Sequence, residues 1–121
     1  MADRPRVLLA DDHHGVAKAL SRTLAVECDV VAVVADGSEV MAAAARLEPV
    51  VVVVDLNLPN VNGLDICRQL IQGNPRARVI VISAMIDEGI TEAALAAGAA
   101  SFVHKSAGNA LVAAIRQAWM R

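Results

Sequence analysis

Five polar residues each follow a short apolar run in this sequence: Asp11, Asp12, Asp55, Ser83 and Lys105. Carboxylates gathered at one site repel each other, by roughly 4 kcal/mol for a pair at ~4 Å and an effective dielectric constant near 20. A cluster of three therefore needs a cation, and one lysine supplies only part of the charge. Carboxylate and phosphate oxygens are the ligands that Mg²⁺ prefers. If the five side chains converge, these residue types indicate a site for a hard divalent cation such as Mg²⁺.

Each residue alone has a simpler interpretation. An Asp pair before a helix is often an N-cap, a Ser after a strand often has no role, and a single Lys is often only solvated. Position 105 is more specific, because the chain has nine Arg and two Lys and a compact ammonium at this point suggests a site that needs a point charge. The functional interpretation depends on whether the five residues share one edge of the fold.

The hydrophobic pattern predicts five strands, each followed by a helix. The predicted strands cover residues 6–10, 29–35, 50–54, 79–82 and 100–103. The third is a run of five valines, which predicts a central strand with no solvent-facing side. Three of the predicted helices have an apolar stripe: Val16, Leu20 and Leu24 in the first, Leu64, Cys67, Leu70 and Ile71 in the third, and Leu111, Val112, Ile115 and Trp119 in the fifth. The second predicted helix runs to Leu47, and the fourth is a weak helix over 87–97 that is closed by Gly98.

Alternating strands and helices predict an α/β fold with a parallel sheet, right-handed crossovers and helices on both faces. The length of 121 residues fits one domain over 1–121. Ligands of such folds gather beyond the carboxyl ends of the strands, where this chain has its unusual polar residues. The aliphatic composition agrees, since 56% of residues are hydrophobic and only 2% aromatic.

Composition also excludes several classes of function. Eleven basic and 13 acidic residues give a net charge of −2, which is not that of a nucleic-acid binder, and one Trp and one Phe are too few for base stacking. No apolar run approaches the ~18–20 residues of a membrane span, so we expect a cytoplasmic protein with no membrane contact. Cys28 and Cys67 are expected to be small buried apolar residues without a disulfide.

In order along the chain, these motifs resemble the receiver domain family of response regulators, the CheY-like domains of two-component signalling. The matching segments are Asp11-Asp12, Asp55-Leu56-Asn57-Leu58-Pro59-Asn60-Val61-Asn62-Gly63, Ser83-Ala84 and Phe102-Val103-His104-Lys105. Asp11-Asp12-His13 and Lys105-Ser106-Ala107 are most similar to the NarL/FixJ subgroup, whose receivers usually precede a helix-turn-helix domain. The resemblance covers essentially the whole chain.

The resemblance implies a flavodoxin-like doubly wound three-layer sandwich with strand order 2-1-3-4-5. It implies that Asp55 accepts a phosphoryl group from a sensor histidine kinase, with Mg²⁺ as cofactor. Asp12 and Asp55 would bind the ion directly, Asp11 mostly through water, and Asn57 through its backbone carbonyl. The chain would be no enzyme beyond its own phosphorylation and dephosphorylation.

A switch is also implied. Lys105 would neutralise charge on the transferring group, and Ser83 would donate its hydroxyl to a phosphoryl oxygen. The movement of Ser83 would leave space for Phe102 and so alter the surface of the fourth helix, fifth strand and fifth helix.

Partner contacts follow from the same resemblance. Met85, Ile86 and Ile90 are the expected partner surface, with a phosphorylation-dependent homodimer as one use of it. DNA would be bound only through an output domain outside this chain, and the output that the resemblance implies is control of transcription. Ser106 departs from the family, where Pro after a cis peptide is common, and this leaves the Lys105-Ser106 geometry open.

Other functions compete with this one. An aspartyl-phosphate phosphatase of the haloacid-dehalogenase type needs a second Asp two residues after the nucleophile, where this chain has Asn57. A flavodoxin-like carrier needs a phosphate-binding loop after the first strand. A stand-alone module or a pseudo-receiver acting only through protein contacts remains open. His13, His14 and His104 lack carboxylates or Cys at zinc-ligand spacing, so no histidine metal site is expected.

Overall fold

The structure, a computed structural model, describes residues 4–59, 61–85 and 87–120. The strands of the main sheet are β1 (Arg6–Ala10), β2 (Asp29–Val34), β3 (Val51–Asp55), β4 (Arg78–Ser83) and β5 (Ser101–His104). The α-helices are α1 (His14–Leu24), α2 (Val40–Leu47), α3 (Gly63–Gly73), α4 (Glu88–Ala96) and α5 (Gly108–Trp119), and a 3-10 turn at Gly37–Glu39 precedes α2. Among the described residues no helix is long and apolar enough to cross a membrane.

The five strands form one parallel sheet in the order β2-β1-β3-β4-β5, as predicted. Because β3 is central, all five of its residues are buried. The valine run is offset by one residue from the prediction: Val50 is exposed, and the strand ends on Asp55 itself. The acidic side chain is therefore part of the strand and is fixed by the sheet.

Alternate strand residues build two cores, one on each face. One core joins the sheet to α1 and α5, and the other joins it to α2, α3 and α4. Two predicted core positions are wrong: Val16 is 36% exposed and Trp119 is 37% exposed. Ala17 and Ala118 are buried instead, because small side chains allow the helices to pack closely on the sheet.

Most of the turn and cap residues predicted between the strands and helices have the expected geometry. Asp36 accepts a hydrogen bond from Ser38 N at 2.9 Å at the start of the 3-10 turn, and Gly98 has a positive φ of 104° after α4. The loop after β3 contains a small antiparallel hairpin that was not predicted, pairing Asn57–Leu58 with Val61–Asn62. Gly63 follows it, and a Cβ there would lie 2.6 Å from Asp55 O, so only glycine lets α3 start this close to β3.

Candidate functional site

The carboxyl ends of β1 and β3 hold two buried carboxylates side by side. The strands pair Ala10 with Val54, so the next residues, Asp11 and Asp55, lie at the same edge of the sheet. The two Asp residues are 2% and 1% exposed. Two charges this close and this far from water require a counter-charge, which another part of the chain supplies.

Lys105 is that counter-charge. It follows β5, and its side chain reaches across the end of β4 so that only 8% of it is exposed. Its Nζ donates to Asp55 Oδ2 at 2.8 Å and to Asp11 Oδ1 at 3.0 Å. The backbone N of Lys105 donates to Ser83 O at 2.9 Å, which fixes the start of the side chain at the sheet edge.

Burial and the contacts between Asp55 and Lys105 shift the pKa values of both groups. Burial raises the pKa of Asp55 above its ordinary value, although hydrogen bonds from Lys105 and Asn57 oppose this. For Lys105, burial lowers the pKa, but the contacts with Asp55 and Asp11 outweigh it and the pKa is raised. The ammonium is therefore held in its charged form beside the carboxylates.

The carboxylates at this edge are not helix caps. Asp11 Oδ1 accepts from His13 N at 2.9 Å, a short turn before α1, and the N-cap position of that helix belongs to His13, whose side chain makes no capping bond. Asp55 Oδ1 likewise accepts from Asn57 N at 3.1 Å. Each Asp thus uses one oxygen to shape its own loop. The capping interpretation of the Asp pair, open on sequence alone, does not describe this geometry.

His13 is part of the cluster and was missed by the sequence analysis. Its Nδ1 lies 3.2 Å from Asp12 Oδ1, 3.3 Å from Asp11 Oδ1 and 3.8 Å from Asp55 Oδ2. The same atom lies 3.0 Å from Lys105 Nζ. Spacing rules for zinc sites found no partner for His13, because its neighbours in space are the adjacent Asp pair and a residue one strand away. The available signal was its direct adjacency to Asp12.

The arrangement fits a divalent cation. Side-chain atoms of Asp11, Asp12, His13 and Asp55 all lie within 4.8 Å of one another. Three carboxylates face one ammonium, and the buried Asp11 Oδ2 accepts no hydrogen bond from the described residues, although Lys105 Nζ lies 3.0 Å away. Unsatisfied buried carboxylate oxygen is the donor type that Mg²⁺ takes. Asn57, the fourth predicted ligand, lies two residues after Asp55, and its backbone N is already engaged there.

Ser83 and Phe102 lie on the same side of neighbouring strands. Ser83 is fully buried at the end of β4, and its Oγ accepts from Met85 N at 3.1 Å. Phe102 pairs in register with Val81, two residues before Ser83, and packs partly buried against the core under α2, α3 and α4. Because side chains alternate along a strand, the hydroxyl and the ring share this face. Both side chains therefore lie on one face of the sheet, as a coupled movement of Ser83 and Phe102 would require.

The expected partner surface is only partly described. Met85 is 68% exposed just before α4, whereas Ile90 is half-buried within that helix. Ile86 lies outside the described residues. Ser106 stands where the family often has Pro after a cis peptide, and the peptide between Lys105 and Ser106 is trans. Ser106 Oγ lies 2.7 Å from His104 Nδ1.

Comparison with known proteins gives a consistent result. The family model described as "Response regulator receiver domain" matches residues 7–116. The response regulator GacA of Pseudomonas protegens is 36% identical over 115 residues, covering 92% of this chain and 54% of that protein. The DNA-binding response regulator MtrA of Mycolicibacterium smegmatis is 34% identical over 102 residues, covering 84% of this chain and 44% of that protein. The chain spans about half the length of these curated relatives.

Solved structures agree with the sequence matches. The signal receiver domain of the putative response regulator NarL from Mycobacterium tuberculosis superposes with a TM-score of 0.91 at 27% identity, covering 99% of this chain and 100% of that one. A LuxR-family two-component response regulator from Aurantimonas sp. gives a TM-score of 0.89 at 30% identity, covering 95% and 84%. The similarity of fold therefore extends over almost the whole chain.

Proposed function

The chain belongs to the response regulator receiver domain family of two-component systems, and we propose that Asp55 accepts a phosphoryl group from a sensor histidine kinase. The observation that carries this proposal is the pairing of a buried Asp55 carboxylate with Lys105 Nζ at 2.8 Å. Asp55 Oδ1 is engaged by a backbone N–H, and Oδ2 faces the charged cluster. A nucleophile and a cation are thus held together at a sheet edge.

The transfer requires no acid or base of this chain at the carboxylate. An oxygen of Asp55 attacks phosphorus, the O–P bond forms, and the P–N bond to the kinase imidazole breaks. The imidazole leaves with the electron pair of that bond and takes up a proton. The product is an aspartyl phosphate on Asp55, and catalysis consists of positioning and charge stabilisation.

Lys105 and Ser83 would stabilise that product. The Lys105 ammonium is already 2.8 Å from Asp55, so it can follow the negative charge onto the phosphoryl oxygens. Ser83 Oγ at present accepts from Met85 N and can also donate its own proton to a phosphoryl oxygen. Movement of Ser83 would change the space next to Phe102 and the loop that leads to α4. We propose this as the switch of the domain.

Mg²⁺ is the proposed cofactor, held by Asp11, Asp12, Asp55 and the backbone carbonyl of Asn57. When bound, the ion supplies positive charge to both the carboxylates and the incoming phosphoryl oxygens. The support for it is the excess of carboxylate over ammonium at the site. The chain's own residues bind the ion, orient the Asp55 oxygen and hold Lys105 charged.

The proposed output is transcriptional control through a DNA-binding domain outside these residues. The support is that the matched relatives GacA and MtrA are regulators about twice as long as this chain, the second of them named as DNA-binding. We propose Met85, Ile86 and Ile90 as the phosphorylation-dependent partner surface, with a homodimer as one of its uses. In this proposal the chain catalyses only its own phosphorylation and dephosphorylation. The cytoplasmic location expected from sequence stays a prediction.

The test is phosphorylation of the intact chain by an acyl-phosphate donor with and without Mg²⁺, followed by intact-mass spectrometry. We expect one phosphoryl adduct that requires Mg²⁺, absent from Asp55→Asn and present in Asp65→Asn, an exposed carboxylate on α3. Absence of the adduct from the native chain would refute the phosphoacceptor function and favour a pseudo-receiver.

A further inference from the structure

The imidazole of His13 is directed into the carboxylate cluster by the backbone around it. His13 N donates to Asp11 Oδ1 at 2.9 Å, which fixes the residue immediately before α1. The side chain is 62% exposed, yet its Nδ1 is within 3.3 Å of carboxylate oxygens on both Asp11 and Asp12. Nδ1 of this largely exposed side chain is thus placed among three carboxylates and an ammonium.

The contact with Lys105 shows that the Nδ1 edge of the imidazole is directed toward the carboxylate cluster. An ammonium can only donate hydrogen bonds, so in the tautomer with the ring proton on Nε2 the His13 Nδ1 accepts from Lys105 Nζ at 3.0 Å. In that tautomer the lone pair of Nδ1 points toward the oxygens of Asp11 and Asp55 and is available to a cation.

The distances among these atoms are those of ligands around one cation. Two ligands at right angles around an ion at ~2.1–2.2 Å are about 3.0–3.1 Å apart, and opposite ligands are about 4.2–4.4 Å apart. His13 Nδ1 is 3.2 Å from Asp12 Oδ1 and 3.8 Å from Asp55 Oδ2. The whole set fits within 4.8 Å. The distances from Nδ1 to the two carboxylate oxygens are therefore compatible with ligation of one shared cation.

We propose that His13 Nδ1 is a ligand of the cation site, which raises the affinity of the site for nitrogen-accepting divalent cations relative to its affinity for Mg²⁺. Mg²⁺ strongly favours oxygen ligands, whereas imidazole suits first-row ions such as Fe²⁺, Ni²⁺ and Zn²⁺, and a mixed nitrogen and oxygen site binds Co²⁺ more tightly than Mn²⁺. This inference rests on the proposed function, since it concerns the same site. It adds to that function a residue, His13, that influences which divalent ions the site prefers.

The direct test is pulsed electron paramagnetic resonance of Mn²⁺ bound to the intact chain, which detects a nitrogen nucleus bonded to the ion. We expect nitrogen coupling in the native chain and in His14→Asn, and its loss in His13→Asn. His14 is the matched control, because it is the next residue, is exposed and is not part of the cluster. Mn²⁺ bound to the native chain without nitrogen coupling would overturn the proposal.

Calorimetric titrations with Co²⁺ and Mg²⁺ give a second measure. We expect His13→Asn to lower the ratio of Co²⁺ to Mg²⁺ affinity by about tenfold or more, with no change in His14→Asn. An unchanged ratio in His13→Asn would refute ligation by His13, while a Mg²⁺-dependent phosphoryl adduct in the native chain would leave the phosphoacceptor function standing. Failure of the native chain to bind any of the three ions would refute the cation site itself.

Discussion

Lys105 Nζ lies 2.8 Å from Asp55 Oδ2, although the two residues are 50 positions apart in the chain. The contact spans the end of β4, because β3 and β5 are not neighbours in the sheet. It joins the proposed phosphoacceptor to the strand that carries Phe102. A change of charge on Asp55 would therefore act directly on Lys105, the residue that follows β5.

Removal of the Lys105 ammonium should destabilise the fold. Lys105→Ala would leave Asp11 and Asp55 buried and without their cation, and we expect a loss of at least about 2 kcal/mol in the free energy of unfolding. Urea denaturation at neutral pH measures this. Lys18→Ala is the control, since Lys18 is the other lysine of the chain and is exposed on α1. Equal stability of the two variants would show that the carboxylates are not in fact held as buried charges.

The same variant tests the switch. Lys105→Ala should still accept some phosphoryl group, because Asp55 remains, but phosphorylation should no longer change partner binding. Comparison of binding with and without an acyl-phosphate donor measures this coupling. Phosphorylation-dependent association that persists unchanged in Lys105→Ala would contradict a role for the lysine in transmission.

Cation binding should stabilise the native chain, because the unfolded chain does not keep the cluster together. A ligand at about 100 times its Kd adds about 2.7 kcal/mol. We expect Mg²⁺ to raise the Tm of the native chain and of Asp29→Asn, and to have little effect on Asp12→Asn. Asp29 begins β2 at the opposite edge of the sheet, so it controls for nonspecific binding. Equal shifts in all three proteins would place the ion elsewhere.

The two thiols should be unreactive in the folded protein. Cys28 and Cys67 are both free and buried, and burial raises the pKa of the Cys67 thiol to about 11 and that of Cys28 above its ordinary value. The thiolate is the reactive form, so its population at pH 8 is small as well as inaccessible. We expect negligible labelling by a thiol reagent at pH 8 until denaturant is added. Rapid labelling of either cysteine without denaturant would contradict the described packing.

The exposed Met85 provides a test of the partner surface. Beryllofluoride with Mg²⁺, a phosphate mimic, should promote self-association of the native chain in sedimentation velocity, and Met85→Glu should reduce it by placing a charge on the contact. Val26→Glu is a suitable comparison, because Val26 is also an exposed apolar residue but lies in the turn after α1, away from α4. Monomers in both states of the native chain would count against the homodimer.

The sequence by itself determined the five strand–helix units, the central position of β3 and the placement of Asp11, Asp55, Ser83 and Lys105 after their strands. These follow from patterns of two and 3.6 residues and from the rule that parallel strands share their carboxyl edge. The order of the strands was implied by the resemblance to receiver domains. The same patterns misplaced Val16 and Trp119, because they identify apolar residues but not how closely a helix can approach the sheet.

Only the tertiary structure decided which atoms meet at that edge. The Asp pair could have capped α1, yet Asp11 turns inward to Lys105 from another strand, and His13 takes the N-cap position with its Nδ1 among the carboxylates. Such contacts depend on side-chain rotamers and on residues distant in the chain, about which local spacing carries no information. The contacts that His13 and Lys105 make with the carboxylates are therefore a property of the folded edge rather than of any motif.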